Sequence, residues 1–241
     1  MADFVQVYRF IVKEVAMQNE VYATFMPKPI HAINGSGMHC HMSLFNGGKN
    51  LFFDKKDPYN LSKMARHFVA GLLHHVREFT LVTNQWINSY KRLVPGYEAP
   101  VYVSWGRRNR SSMVRVPMYK PGREAATRIE LRSPDPAANP YLTFSCMLAA
   151  GLKGIDEKYE LPEPIEENIF NMSPEKRMEL DIETLPGSMD TAIELFENSE
   201  LVRATLGDHV TDKLILNKRI EWDQYRTHVS LFEKEKYLPM L

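Results

Sequence analysis

The sequence predicts an α+β fold, with strands gathered in the middle of the chain and helices before and after them. Two observations carry this. Residues 38–44, 101–105, 111–117 and 128–132 alternate in polarity or are rich in β-formers. Apolar residues at helical spacing flank this region, with no regular alternation of strand and helix of the kind that builds a wound parallel sheet. The composition, 44% hydrophobic and 25% charged over 241 residues, is that of a globular chain with a sizeable core.

The elements follow in order. Phe4, Tyr8, Ile11 and Val15 recur at helical spacing, with Lys13, Glu14 and Glu20 elsewhere, so the chain opens as an amphipathic helix. Ser62 is a suitable N-cap for a second helix, whose apolar stripe is Ala65, Phe68, Val69, Leu72, Leu73, Val76 and Phe79. Residues 88–100, with two prolines and a glycine, read as a loop. Arg107-Arg108-Asn109 stands between two strand-like stretches and reads as a hairpin turn. Asn139 and Pro140 suit the N-cap and first position of a helix running to about Gly154. The Pro-rich stretch 161–164 then introduces an acidic, mainly helical tail, with helices expected at 189–197, 201–206 and 211–218. The whole, 1–241, reads as one catalytic-type domain in which 155–241 form that tail.

Lys+Arg and Asp+Glu both number 30, which does not suggest a nucleic-acid binder. No apolar run is long enough to span a bilayer, and no signal peptide opens the chain. Two cysteines, Cys40 and Cys146, give no disulfide framework and suggest a reducing, cytoplasmic setting. The charge is unevenly placed: ten basic residues and three acidic ones lie between Lys91 and Arg132. Such a cluster is either a solvated basic surface or a pocket for polyanions, where the planar fork of arginine pairs with carboxylate and phosphate.

The stretch from Asn34 to Leu44, Asn-Gly-Ser-Gly-Met-His-Cys-His-Met-Ser-Leu, carries the most chemistry. On a strand, His39, His41 and Ser43 share one face, and Met38, Cys40, Met42 and Leu44 the other, core-facing one. In 128–132 the same logic turns Ile129 and Leu131 inward and puts Arg128, Glu130 and Arg132 together. That trio is a surface salt-bridge ladder, or else Glu130 and His39 make a mixed oxygen–nitrogen pair suited to Mg²⁺ or Mn²⁺. Glu98, between Arg92 and a basic segment on a Pro- and Gly-containing loop, is either solvated or part of a lid.

Residues 34–44, 88–100, 109–117 and 128–142, the last containing Arg-Ser-Pro-Asp-Pro-Ala-Ala-Asn-Pro-Tyr-Leu, resemble in order and spacing the signature segments of type I glutamine synthetases. Phe25-Met26-Pro27-Lys28-Pro29 resembles the family's strand-entry segment. The resemblance covers essentially the whole chain and matches its C-terminal catalytic portion. It implies a curved antiparallel sheet surrounded by helices. It also implies a reaction in which ATP phosphorylates the side-chain carboxylate of L-glutamate and ammonia displaces phosphate from γ-glutamyl phosphate, with two divalent cations assisting. It further implies a homo-oligomer, a dodecamer of two hexameric rings.

Carried over by position, His39 and Glu130 resemble metal ligands. His41, Ser43, Arg110 and Arg115 resemble nucleotide contacts. Asn34, Gly35, Arg92 and Arg132 resemble glutamate contacts. Arg110 and the flap acid Glu98 resemble the catalytic groups. A complete family chain also carries an N-terminal β domain and a strand with two metal-binding glutamates. The acids before Asn34 here are Asp3, Glu14 and Glu20, in no such motif. The chain alone is therefore expected to be inactive and not to form the dodecamer. A non-catalytic derivative of the fold and a ligase joining glutamate to another amine are the alternatives. Residues 160–172 contain no tyrosine, which favours the subtype not regulated by tyrosine adenylylation.

Overall fold

The computed structural model describes residues 1–241 except Glu98 and Arg108. Its helices are α1 (Ala2–Gln18), α2 (Lys63–His75), α3 (Thr80–Thr83), α4 (Ile87–Arg92), α5 (Pro140–Asp156), α6 (Pro174–Glu179), α7 (Met189–Glu197), α8 (Glu200–Arg226) and α9 (Leu231–Tyr237). The strands are β1 (Cys40–Met42), β2 (Phe45–Asn46), β3 (Lys49–Asn50), β4 (Tyr102–Gly106), β5 (Ser112–Arg115) and β6 (Ile129–Leu131). A four-stranded sheet runs β1-β6-β5-β4, and β2 and β3 form a separate small pair. The α+β expectation holds, with an open sheet.

Pairing departs from expectation at one junction. β1 with β6 and β6 with β5 are antiparallel, but β4 and β5 run parallel, placing Tyr102 beside Ser112 and Gly106 beside Arg115. The 107–109 segment is thus not a hairpin turn. The step from Gly106 to Ser112 can reach roughly 20 Å, enough to run back along β4 and start again in the same direction. The returning stretch is pinned to the segment after the Pro-rich run. Asn109 Nδ2 donates to Ile165 O at 2.9 Å, and Ser111 Oγ accepts from Ile169 N at 3.0 Å. That run covers β4, with Trp105 Nε1 donating to Pro162 O and Ile165 N to Trp105 O.

The core is built where helix stripes meet the inward sheet face. Ser62 Oγ caps α2 by accepting from Ala65 N at 3.1 Å, and Asn139 Oδ1 caps α5 by accepting from Tyr141 N at 3.0 Å. The α2 stripe, Phe68, Val69, Leu72 and Val76, is buried against α5. The helices cross so closely that a Cβ at Gly154 would lie 2.3 Å from His67 O and 2.7 Å from Gly71 Cα. Glycine is the residue that lets the two backbones touch there.

At the end of α2, His75 Nδ1 lies 2.8 Å from Glu78 Oε1. Ser199 Oγ donates to the same carboxylate and also caps α8 by accepting from Val202 N at 3.1 Å. Burial pushes the Glu78 carboxyl up, but the hydrogen bonds from His75 and Ser199 outweigh it and hold the pKa below its ordinary value of 4.5.

In the tail, α7 has the predicted bounds. The two helices expected at 201–206 and 211–218 are the two arms of α8, broken at Gly207, whose φ of 76° and ψ of 159° are not helical. α1 is the amphipathic helix predicted, yet none of its residues is buried. Phe4, Phe10 and Met17 are each about two-thirds exposed or more. It is tied to the rest by Arg9 Nη2 donating to Ala138 O at 2.8 Å and by Tyr141 Oη donating to Asp3. Among the described residues, no helix is long and apolar enough to cross a membrane.

Candidate functional site

The antiparallel register of β1 on β6 brings His41 opposite Glu130 and carries His39 to the same end of the sheet. The predicted alternation is visible in burial. Cys40 is buried, Met38, Met42 and Leu44 pack on the core, and His39 and His41 stand on the exposed face. Ser43 is half-buried just beyond β1. On β6 burial argues against the solvated-ladder reading. Glu130 is 2% exposed and Arg132 7%, so these residues are not a solvated ladder.

The buried Glu130 is the centre of a charge cluster that opens through His39 and Arg115 to the exposed face. Its Oε1 lies 2.9 Å from His39 Nδ1, its Oε2 lies 2.6 Å from Arg115 Nη2, and Arg132 Nε is 4.0 Å from Oε1. Burial pushes this carboxyl up. The hydrogen bond with His39 and the nearby Arg115 and His41 outweigh that and hold its pKa below 4.5. His41 Nδ1 accepts from Arg128 Nε at 3.1 Å. Burial lowers the His41 pKa, partly offset by Glu130 and reinforced by Arg128, Arg115 and His39, so the ring is neutral near pH 7.

The two arginines read as glutamate contacts are buried and locked onto main chain. Arg92, the last residue of α4, donates from Nη1 to Ser133 O at 2.6 Å and from Nη2 to Arg132 O at 3.3 Å. Burial brings its pKa down to about 10, opposed by Asp135 and aided by Arg132, and it remains charged at neutral pH. Arg132 donates from Nη1 to Arg110 O and to Ser112 O, stitching β6 to the turn before β5.

Gly35, Gly37, His39, Arg92, Tyr97, Ala99 and Arg132 line a hollow of about 200 Å³. A Cβ on Gly37 would meet Arg92 Nη2 at 2.6 Å and His39 Nε2 at 3.0 Å, so this glycine lets the two side chains close on each other. The 33–37 loop is held by Ser36 N donating to Pro27 O at 2.9 Å, and Asn88 brackets the preceding segment through Lys28 N and Lys28 O. Beyond Tyr97 lies a wider cleft of about 500 Å³ that includes Asn34, Asn109, Arg110, Ser111 and Asn168.

The structure thus brings together Gly35, His39, Arg92 and Arg132 at one hollow, and Asn34 and Arg110 at its neighbour. Glu130 and Arg115 stand behind His39, with His41 beside them. Glu98, the acid read as a flap residue, lies outside the described residues. The period of two had already put Arg128 on the face of Glu130, but its hydrogen bond to His41 on the neighbouring strand was not readable from the sequence. Sequence reasoning passed over Tyr97, common to both cavities, for which the sequence offered no signal.

The comparisons fit this geometry. The family model "Glutamine synthetase, catalytic domain" matches residues 1–237. The chain belongs to the glutamine synthetase family. A glutamine synthetase of Mycolicibacterium smegmatis is 51% identical over 240 residues, 100% of this chain and 54% of that protein. One of Thermotoga maritima is 49% identical over 237 residues, 98% of this chain and 53% of that protein. The chain therefore spans about half the length of the curated glutamine synthetases it matches. Among solved structures, a GmaS complex with ADP superposes with a TM-score of 0.88 at 34% identity, covering 99% of this chain and 54% of that one. A ligand-free GmaS structure gives 0.86. The sequence resemblance to the C-terminal portion of the family's catalytic domain is thereby borne out.

Proposed function

We propose that this chain supplies the arginine-lined part of a glutamine synthetase active site, serving ATP-dependent ligation of ammonia to the side-chain carboxylate of L-glutamate. The observation that carries the reading is the buried Glu130, set among His39, Arg115 and Arg132 next to a hollow walled by Arg92. Arg92 and Arg132 would hold glutamate carboxylate. Arg115 and Arg110 would neutralise phosphate oxygens, and His41 with Ser43 would contact the nucleotide, as phosphoryl transfer depends on positioning and charge neutralisation. The γ-phosphoryl group passes to the carboxylate oxygen with ADP as leaving group. Ammonia then attacks the acyl carbon, the C–O bond to phosphate breaks, and the surplus proton goes to a base, the role we assign to Glu98.

His39 and Glu130 offer one imidazole nitrogen and one carboxylate oxygen, a donor pair that suits Mg²⁺ or Mn²⁺. Among the described residues no third His, Cys, Asp or Glu joins them, so the pair fits as part of a set completed by other donors. Such an ion would supply charge neutralisation at the phosphates.

With two donors in place, the chain alone is expected to bind ADP but turn over poorly. Calorimetry with ADP and Mg²⁺ and a coupled assay of phosphate and glutamine release test this. No ADP binding, or binding unaffected by Arg115→Ala, would overturn the site reading. Turnover at ordinary enzyme rates would overturn the expected inactivity in isolation. This chain is likewise expected not to form the family's dodecamer on its own, and light scattering showing a stable twelve-subunit particle would refute that.

A further inference from the structure

The distal arm of α8 reaches the short helix that carries Arg92, and two of its charged residues meet that helix at its start. Lys218 is 3% exposed, and a lysine is seldom so buried without a partner. Its Nζ lies 2.7 Å from Glu221 Oε2 and 4.2 Å from the centroid of the Trp86 ring. Trp86 is the N-cap residue of α4. Its indole donates to Ala137 O at 3.0 Å, and its own N–H donates to Ser89 Oγ at 3.2 Å. The other oxygen of Glu221, Oε1, accepts from Ile87 N, the first residue of α4, at 3.3 Å. Further along, Lys91 Nζ lies 5.4 Å from the Tyr225 ring of α8.

At six residues, α4 is too short to hold itself together by its own hydrogen bonds. Its end is fixed by Arg92 on the carbonyls of Ser133 and Arg132. Its start is fixed by Lys218 and Glu221. An ion pair with its lysine buried and its carboxylate about a quarter exposed adds little stability over packed apolar side chains of similar size, whereas it constrains direction. The pair is therefore placed to orient rather than to stabilise.

We propose that Lys218 and Glu221 are positioning residues for Arg92. By clamping Trp86 and Ile87 they fix the axis of α4 and present the guanidinium at its far end to the 200 Å³ hollow. That the ligand there is the carboxylate of an amino acid rests on the function proposed above.

The test uses the full chain with Lys218→Met and Glu221→Gln. Hydrogen exchange read by mass spectrometry is expected to be about tenfold faster in peptides covering residues 87–93, with α2 and α5 unchanged. In parallel, the Kd for L-glutamate should rise several-fold and that for ADP should stay constant, a split that general loosening of the fold would not produce. Unchanged exchange in α4 overturns the proposal, as does exchange accelerated equally in every helix. A loosened α4 with an unaltered glutamate Kd also overturns it. A wild-type chain that binds no glutamate defeats the reading of the hollow, and the exchange pattern then still decides whether the pair positions α4.

Discussion

Arg132 performs two tasks, and the balance between them determines what its removal does. Its guanidinium bonds the carbonyls of Arg110 and Ser112 and also lines the hollow beside Arg92. Arg132→Ala should weaken L-glutamate binding by about 2 kcal/mol, the scale of a lost charge-assisted hydrogen bond. It should also lower the melting temperature, because two carbonyls lose their donor. Calorimetry with glutamate and with ADP separates the two effects, since equal losses for both ligands would count against the carboxylate role. Gly37→Ala is the complementary probe. The new methyl would push first on Arg92 Nη2 and His39 Nε2, so glutamate affinity should fall well before thermal stability does. These residue-level expectations were partly legible in the sequence. The period of two placed His39, His41, Glu130 and Arg132 correctly, because side-chain direction on a strand is local. Burial of Glu130 was not legible, since it depends on which strand lies opposite. Nor was the anchoring of Arg92, which uses main-chain carbonyls 40 and 41 residues away.

Among the elements, caps and stripes were readable, and strand direction was not. Ser62, Asn139 and Pro140 marked their helices because capping is settled within a few residues. The parallel run of β5 beside β4 was hidden because it is decided by a distant segment, 165–169, that pins the connection. The α2–α5 crossing predicts a stability effect: Gly154→Ala puts a methyl against His67 O and Gly71 Cα, which cannot rotate away, and should cost about 1–3 kcal/mol in urea unfolding. The Glu78 junction predicts a pH effect. Its folded pKa lies below the ordinary 4.5, so its contribution is present above that pH and fades as pH falls through the lower folded value. Glu78→Gln should therefore destabilise the chain at pH 6 and matter progressively less in acid below about 4.5. A stability gap that stays constant on acidification would show that the carboxylate charge is not what holds α2 to α8.

At the scale of the whole molecule, the sheet and its helices form a scaffold whose candidate site is assembled from three distant stretches, 34–43, 92–97 and 110–132. The last long helix governs the middle one. The bend at Gly207 gives that arrangement a mechanical character. Nothing stands within 4 Å of where its Cβ would be, so crowding does not explain the bend, and the two dihedrals of one residue set the direction of everything beyond it. Lys218 lies about 16 Å along the distal arm, so a swing of roughly 10° at the pivot carries it about 3 Å. That is nearly as large as the 3.3 Å that separates Glu221 Oε1 on the same arm from Ile87 N of α4. α8 is in this sense a lever with its fulcrum outside the site, and side-chain chemistry at the short end is at the mercy of an angle set elsewhere. Gly207→Ala, forced off a φ of 76°, should cost about 1–3 kcal/mol and speed exchange in α4 although no atom of residue 207 comes near it.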